Sequence, residues 1–172
     1  MNSADRYRYF SPLLALTILL AGCGRSPTKP DRAVPAAVFI PADTNAIDAS
    51  NAVLFRAMSL VGTPYHWGGN TPTSGFDCSG LVTYIFHDAA AVRLPRRSSI
   101  MGEIRGRELS RRQLQSGDLV FFAASRSISH VGVYVGENRF VHAPNGGGTV
   151  RLDSLDGAWW KDHFVYGKRV FQ

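Results

Sequence analysis

The chain has 172 residues, of which 45% are hydrophobic, and a formal net charge of +6. This length and apolar content predict one domain with short appendages and a sizeable core. The positive charge is concentrated between residues 93 and 112. This segment contains seven arginines and only two acidic residues, Glu103 and Glu108. No motif of stacking aromatic residues accompanies the arginines, which disfavours nucleic acid as a partner. A solvated basic face is the simplest interpretation, and contact with carboxylates of a substrate is the alternative.

The N-terminus has the features of a bacterial export signal. Two arginines precede the apolar run of residues 12–20, which is too short to span a bilayer as a stable helix. Residues 20–23, Leu-Ala-Gly-Cys, resemble a lipobox. This resemblance implies that residues 1–22 are a lipoprotein signal peptide and that Cys23 is lipidated. Because Gly24 rather than Asp follows, it also implies anchoring at the periplasmic face of a Gram-negative outer membrane. An ordinary signal peptide that contains a cysteine is the alternative.

A tether and a helix are predicted next. Residues 23–45 contain four prolines and no sustained periodicity, so we expect a partly extended tether. The folded domain is predicted to occupy residues 46–172. Its first helix is expected to have Asp48 or Ser50 as N-cap and to end before Gly62. Five apolar residues are expected to form its buried face: Val53, Leu54, Ala57, Met58 and Val61.

A second helix is predicted to begin at a cysteine. Asp77 is a good N-cap, and apolar residues then recur at three- and four-residue steps from Leu81 to Ala89. Cys78 therefore lies where the free amides and the positive end of the helix dipole are found. We expect this position to lower the pKa of the Cys78 thiol, because such a site favours the nucleophilic thiolate. A buried structural cysteine is the alternative.

Strands are predicted in the rest of the chain. After a basic surface segment with a short helix near residues 99–105, apolar or alternating stretches indicate five strands. They cover residues 119–122, 130–135, 140–143, 149–152 and 164–171. Helices first and an antiparallel sheet afterwards predict an α+β domain.

Two histidines lie at matching ends of one predicted hairpin. If paired residue numbers sum to 274, Tyr134 lies opposite Phe140, and His130 and His142 share one face as diagonal neighbours. Gly132 then places no side chain between them. A slip of one residue would send the two imidazoles to opposite faces. The sequence is thus compatible with a relay of Cys78, His130 and His142, in which a base activates the thiol.

Two other interpretations of these residues remain open. His66 is a rival to His130 as the base. Cysteine and two histidines are also zinc-ligand types, but separations of 52 and 12 residues match no short zinc spacing, so no metal is expected.

Several motifs together resemble the NlpC/P60 family of cell-wall cysteine peptidases. They span residues 65–69, 77–82, 117–122, 130–134 and 140–143, in the family's order. The resemblance implies a papain-like, circularly permuted fold, with Cys78 as nucleophile, His130 as general base and His142 as the orienting residue. It further implies that the Tyr65 hydroxyl points at the nucleophile. Ser79 follows Cys78, and an amide of that first helical turn is a candidate oxyanion donor.

The resemblance also implies a function. A short lipoprotein with one such domain is similar to the Spr-like murein endopeptidases, which open cross-links between D-alanine and diaminopimelate. Cleavage between D-glutamate and diaminopimelate is the alternative within the same class. The alternative outside the enzymes is a catalytically silent lipoprotein that binds peptidoglycan stems. We expect no cofactor, a peptidoglycan partner, a membrane contact through the lipid, and a monomer.

Overall fold

An antiparallel sheet forms the centre of the fold. The computed structural model describes residues 38–42 and 45–171, so the predicted signal peptide and most of the predicted tether lie outside the described residues. The helices are α1 (Ala46–Ser59), α2 (Cys78–Ala90), α3 (Ser98–Gly102) and α4 (Ala158–His163), with a 3₁₀ turn at Arg111–Gln113. The strands are β1 (Asn70–Thr71), β2 (Gly75–Phe76), β3 (Glu108–Leu109), β4 (Leu119–Phe122), β5 (His130–Gly136), β6 (Arg139–His142), β7 (Arg151–Ser154) and β8 (Phe164–Lys168).

Six of the strands form the larger of two sheets, in the order β3-β8-β4-β5-β6-β7, and every neighbouring pair is antiparallel. The strands β1 and β2 form a separate small hairpin just before α2. The predicted α+β class, with helices packed against an antiparallel sheet, is therefore confirmed.

Helix α1 begins and packs differently from the prediction. Its N-cap is Asn45, whose side chain accepts hydrogen bonds from the amides of Ile47 and Asp48 at 3.0 and 3.3 Å. Asp48 and Ser50 lie inside the helix, so both predicted caps are wrong. The buried side chains of α1 and its C-cap are Ala49, Val53, Ala57 and Leu60, whereas the predicted core residues Met58 and Val61 are exposed.

The sheet packs apolar side chains on both of its faces. On one face, α1 and α2 cover valines of β5 and β6, among them Val131, Val133 and Val141. On the other face, a smaller cluster contains Phe122, Phe140 and Leu155, with Trp160 of α4 packed against it. Because side chains alternate along β5, the residues between its valines belong to this second face.

The last two strands depart from the predicted bounds, and β8 ends at Lys168 rather than at residue 171. The prediction began a strand at residue 149, but β7 begins at Arg151 and continues to Ser154. The reason lies just upstream, where Gly147 and Gly148 have φ of +86° and Val150 pairs with the backbone of Thr63. The sequence analysis also missed α4, a six-residue helix between β7 and β8.

The described residues before α1 contact the folded domain, where Val38 packs against its core. Phe39 and Arg93 form an isolated antiparallel bridge, with backbone hydrogen bonds of 3.4 and 3.1 Å. None of the helices within residues 38–42 and 45–171 is long and apolar enough to cross a membrane.

Candidate active site

The start of α2 is fixed by Asp77, as predicted. One carboxylate oxygen accepts a hydrogen bond from the Gly80 amide at 2.7 Å, which makes Asp77 the N-cap. The other oxygen accepts from the Gly68 amide at 3.0 Å, in the loop between α1 and β1. Asp77 therefore joins the cysteine helix to the loop that carries Trp67.

Arg96 completes this junction, a role the sequence analysis missed. Its guanidinium donates to both oxygens of Asp77, at 2.9 and 2.7 Å, and to the Ser79 hydroxyl at 2.6 Å. Burial alone raises the pKa of Asp77, but the bonds from Arg96, Gly80 and Ser79 outweigh it, so the net pKa is lowered. Within the basic segment, Arg96 is thus bonded to the site rather than free in solvent.

Cys78 is buried, and its thiol is not preactivated by its position. The side chain is only 7% exposed. Burial and the negative charge of Asp77 raise the pKa of Cys78, although the backbone amides of Val131, Ser79 and Cys78 itself oppose them. The predicted lowering of the thiol pKa is therefore wrong for the free protein, because burial and a neighbouring carboxylate outweigh the helix start. Helix α2, which Cys78 begins, packs against β5, the strand that starts at His130.

The predicted hairpin register is confirmed. Val133 pairs with Val141 and Tyr134 with Phe140, so the paired numbers sum to 274. His130 and His142 consequently share one face, and their Nε2 and Nδ1 atoms are 2.9 Å apart. The two imidazoles are 4% and 0% exposed. The two imidazoles are thus brought together at the start of β5, the strand against which α2 packs.

Asp153 extends this pair, and the sequence analysis missed it. Its Oδ2 atom lies 3.0 Å from Nε2 of His142 and also accepts from the indole of Trp160 at 2.9 Å. Arg151 donates to the same oxygen through two nitrogens, at 3.1 and 3.0 Å. Had the strand predicted at residues 149–152 been extended to residue 154, alternation would have placed Asp153 on the face of Arg151, which pairs with His142.

Both histidines are held neutral in the folded protein. Burial lowers the pKa of His130 to about 3, helped by the neighbouring His142 and opposed by Asn145 and Asp153. Burial likewise lowers the pKa of His142 to about 4, despite the hydrogen bond and charge of Asp153. The resting site therefore pairs a neutral thiol with a neutral imidazole, so the thiolate must arise by proton transfer.

An open cleft of about 460 Å³ leads to Cys78. Most of the residues that line it are of polar types: Trp67, Asp77, Cys78, Ser79, Arg96, Arg97, Ser98, Ser99, Ser129 and Asn145. Trp67 is 79% exposed at its edge. Such a cleft admits an extended polar chain to the sulfur while the histidines stay shielded behind it.

The remaining predicted residues occupy different positions. Tyr65 is half-buried, and burial raises its pKa, with further contributions from the charges of Cys78 and Asp77, so its hydroxyl lies near both. The hydroxyl of Ser79 is engaged with Asp77 and Arg96. His66 is exposed. Cys23 lies outside the described residues.

No three His, Cys, Asp or Glu side chains within residues 38–42 and 45–171 are grouped to hold a metal ion.

Helices α1 and α2 cover one face of an antiparallel sheet, α2 begins at a cysteine, and the sheet carries a buried histidine pair. Together these features define a papain-like α+β domain. The model of the NlpC/P60 family matches residues 62–169. The chain therefore belongs to the NlpC/P60 family, as its motifs indicated.

Curated relatives agree with this family. The chain is 30% identical over 173 residues to Murein DD-endopeptidase MepS/Murein LD-carboxypeptidase of Escherichia coli, covering 92% of this chain and 90% of that protein. It is 39% identical over 125 residues to Murein DD-endopeptidase MepH of the same species, covering 71% of this chain and 46% of that protein. It thus spans about half the length of MepH and of the probable endopeptidase YafL.

Solved structures agree as well. An NlpC/P60 family protein from Bacillus cereus matches with a TM-score of 0.64 at 28% identity, over 75% of this chain and 41% of that one. The NlpC/p60 domain of the peptidoglycan hydrolase SagA matches with a TM-score of 0.61 at 28% identity, over 69% and 97%.

Proposed function

We propose that this protein is a cysteine endopeptidase that hydrolyses amide bonds in the peptides of peptidoglycan. The supporting observation is that Cys78 begins helix α2, which packs against β5, while β5 carries His130 in a hydrogen-bonded pair of buried histidines. The family supports the same class of reaction, and the relatives MepS and MepH are named as murein endopeptidases.

In the proposed reaction, Cys78 is the nucleophile, His130 the general base and His142 the residue that orients it. The thiol proton moves to Nδ1 of His130 as the sulfur attacks the amide carbonyl. The imidazolium then returns this proton to the leaving amine, and an acyl-enzyme remains. Water, deprotonated by the same imidazole, hydrolyses the thioester and restores the thiol.

The negative oxygen formed during attack needs donors close to the sulfur. Amides at the start of α2, among them those of Cys78 and Ser79, are candidates because they point their N–H groups at this position. The Tyr65 hydroxyl is a second candidate, since its raised pKa keeps it protonated and able to donate. Both roles belong to the proposal.

The favoured bond is the cross-link between D-alanine and diaminopimelate. The names of MepS and MepH, both DD-endopeptidases, favour it. The relative CwlT is named a bifunctional muramidase/DL-endopeptidase, which keeps the bond between D-glutamate and diaminopimelate as the alternative. Mass spectrometry of the products from defined dimeric muropeptides distinguishes the two, because only the first reaction yields two intact stems.

Loss of the sulfur tests the proposal directly. We expect Cys78→Ala to abolish release of soluble fragments from purified sacculi, and His130→Ala to reduce it by at least about a hundredfold. His87→Ala is the matched control, because His87 is exposed on the far part of α2. Full digestion by Cys78→Ala, with an unchanged melting temperature, would refute the hydrolase assignment.

We also propose that Cys23 carries the lipid and that the protein works as a monomer at the periplasmic face of the outer membrane. The lipobox-like residues 20–23 support the anchor. Palmitate labelling of the full chain should require Cys23 and be lost in Cys23→Ser. Sedimentation of the detergent-solubilised protein tests the monomer.

A further inference from the structure

We infer that Asp153 is a positioning residue for the proposed reaction, the last member of a chain that runs Cys78, His130, His142, Asp153. This inference rests on the proposed function, because it assigns Asp153 a task in that chemistry. It concerns which nitrogen of each imidazole carries the proton, and so whether His130 can accept one from sulfur.

Three of these residues, His130, His142 and Asp153, follow a repeated geometric step. In the pairing of β6 with β7, His142 lies opposite Arg151 and Phe140 opposite Asp153. Asp153 is therefore a diagonal neighbour of His142 on one face of the sheet, just as His142 is of His130. The two contacts, 2.9 and 3.0 Å long, continue one line across three adjacent strands.

Donor and acceptor chemistry then assigns the protons. Asp153 is ionised at neutral pH, because the bonds from His142, Arg151 and Trp160 outweigh burial and lower its pKa. A carboxylate can only accept, so Nε2 of His142 must carry the proton. Neutral His142 then has a bare Nδ1, which accepts from Nε2–H of His130. The bare atom of His130 is Nδ1, which is the nitrogen that the reaction needs.

The surroundings of Asp153 hold it in this role. Of the charged or titratable groups facing it, His142 comes from β6 and Arg151 from β7, while His130 lies one step further on β5. Helix α4 contributes an uncharged donor, the indole of Trp160, which also packs against both imidazoles. All these donors meet the Oδ2 atom, so that oxygen has no freedom to turn away from His142.

During catalysis Asp153 stays ionised. The proton leaves Sγ of Cys78 and binds Nδ1 of His130. The Nε2 atoms of His130 and His142 both keep their protons. Asp153 stabilises the resulting imidazolium through His142. Removing this negative charge disfavours the thiolate–imidazolium pair. An amide in place of the carboxylate can also donate to Nε2 of His142, which admits the opposite tautomers of both histidines. In those tautomers Nδ1 of His130 is already protonated.

Asp153→Asn is the decisive variant because it keeps the shape and removes the charge. An analogous carboxylate-to-amide change directly beside a catalytic histidine costs about 10⁴ in rate. One residue further away, we expect kcat on a dimeric muropeptide to fall by about tenfold or more, with KM nearly unchanged. Asp156→Asn is the matched control, since Asp156 is an exposed carboxylate bonded to Arg111 and Asn138 instead.

Two readouts do not depend on the substrate and separate this inference from the proposed function. The pH profile of Cys78 alkylation by iodoacetamide should move upward by about half a unit or more in Asp153→Asn. Nitrogen-15 NMR of the histidines should show His142 protonated at Nε2 in the wild type and mixed tautomers in the variant.

A tryptophan pair gives a milder test if Asp153→Asn does not fold. Trp160→Phe keeps an aromatic ring and removes one donor to Asp153, so we expect a loss of kcat of a few fold. Trp159→Phe, in the next position of α4, should leave kcat unchanged. A wild-type protein with His142 protonated at Nδ1 would overturn the inference. So would an Asp153→Asn variant with unchanged kcat and alkylation profile, whereas an active Cys78→Ala variant would overturn the proposed function itself.

Discussion

A glycine permits the close contact of the two histidines. Gly132 lies two residues after His130 on β5, on the face that carries the imidazoles. A Cβ atom at this position would lie 2.7 Å from a ring carbon of Phe140 and 2.9 Å from the backbone oxygen of Val141. Neither neighbour can move freely, because Phe140 is fully buried and the carbonyl is part of strand β6.

We therefore expect Gly132→Ala to lower the free energy of unfolding by about 1–3 kcal/mol, the range for overpacked sites. It should also reduce digestion of sacculi, because the added methyl group pushes β6 and His142 away from His130. Urea unfolding and a sacculus assay measure the two effects. Gly146→Ala is the control, since a Cβ there meets nothing within 4 Å. Equal stability of the two variants would contradict the packing argument.

Individual side chains differ in how far the sequence could predict them. Cys78, His130 and His142 could be predicted because a helix cap and strand alternation each depend on local residues. Arg96 and Asp153 were missed, because Arg96 lies in a basic segment without periodicity and the predicted strand at residues 149–152 ended before Asp153. The thiol pKa was mispredicted for a related reason, since burial of Cys78 is a property of the packed domain.

At the level of elements, Asp77 and its ion pair with Arg96 connect the loop before α2 to the helix. Arg96 bonds both oxygens of Asp77, and Asp77 in turn bonds the loop at Gly68 and the helix at Gly80. Without the guanidinium, the carboxylate beside Cys78 would be uncompensated. Its negative charge would oppose formation of the thiolate more strongly.

We predict that Arg96→Ala lowers the free energy of unfolding by about 1 kcal/mol, a modest value because the arginine side chain is 41% exposed. We also predict that alkylation of Cys78 moves to higher pH, followed as iodoacetamide incorporation by mass spectrometry. Arg107→Ala is the control, because Arg107 is exposed in the same basic segment. A variant with wild-type alkylation at every pH would show that Arg96 serves stability alone.

The strands and helices illustrate what sequence patterns can and cannot fix. Alternation and apolar runs predicted β4, β5 and β6 closely, because each is buried on at least one face. β7 was displaced by two residues, since its start depends on pairing between Val150 and the loop at Thr63. Helix α4 was missed because six residues with two tryptophans give no helical period.

At the scale of the whole molecule, two buried neutral histidines couple the fold to pH. In the unfolded chain an imidazole has a pKa near 6.5, while in the folded protein those of His130 and His142 are lowered to about 3 and about 4. Between these values the unfolded state binds more protons than the folded state. The free energy of unfolding therefore rises with pH through this window. The contribution of the two neutral histidines is complete above about pH 6.5 and is lost as the pH falls.

We accordingly expect the melting temperature to be constant near neutral pH and to fall steadily from about pH 6 towards pH 4. Each histidine contributes a slope of up to about 1.4 kcal/mol per pH unit. The lowered pKa values of Asp77 and Asp153 act in the same direction but only below about pH 4, where carboxylates begin to protonate. The two kinds of group are thus separated along the pH axis.

Replacing one histidine separates its contribution from acid effects common to the whole chain. In His130→Asn, the slope of unfolding free energy between pH 4.5 and 6, obtained from urea titrations followed by circular dichroism, should be about half of the wild-type slope. His87→Asn should keep the full slope, because His87 is exposed on α2 and is not part of the buried histidine pair. An unaltered slope in His130→Asn would mean that the folded protein accommodates a charged imidazole at this position, and the neutral resting pair of thiol and base would have to be abandoned.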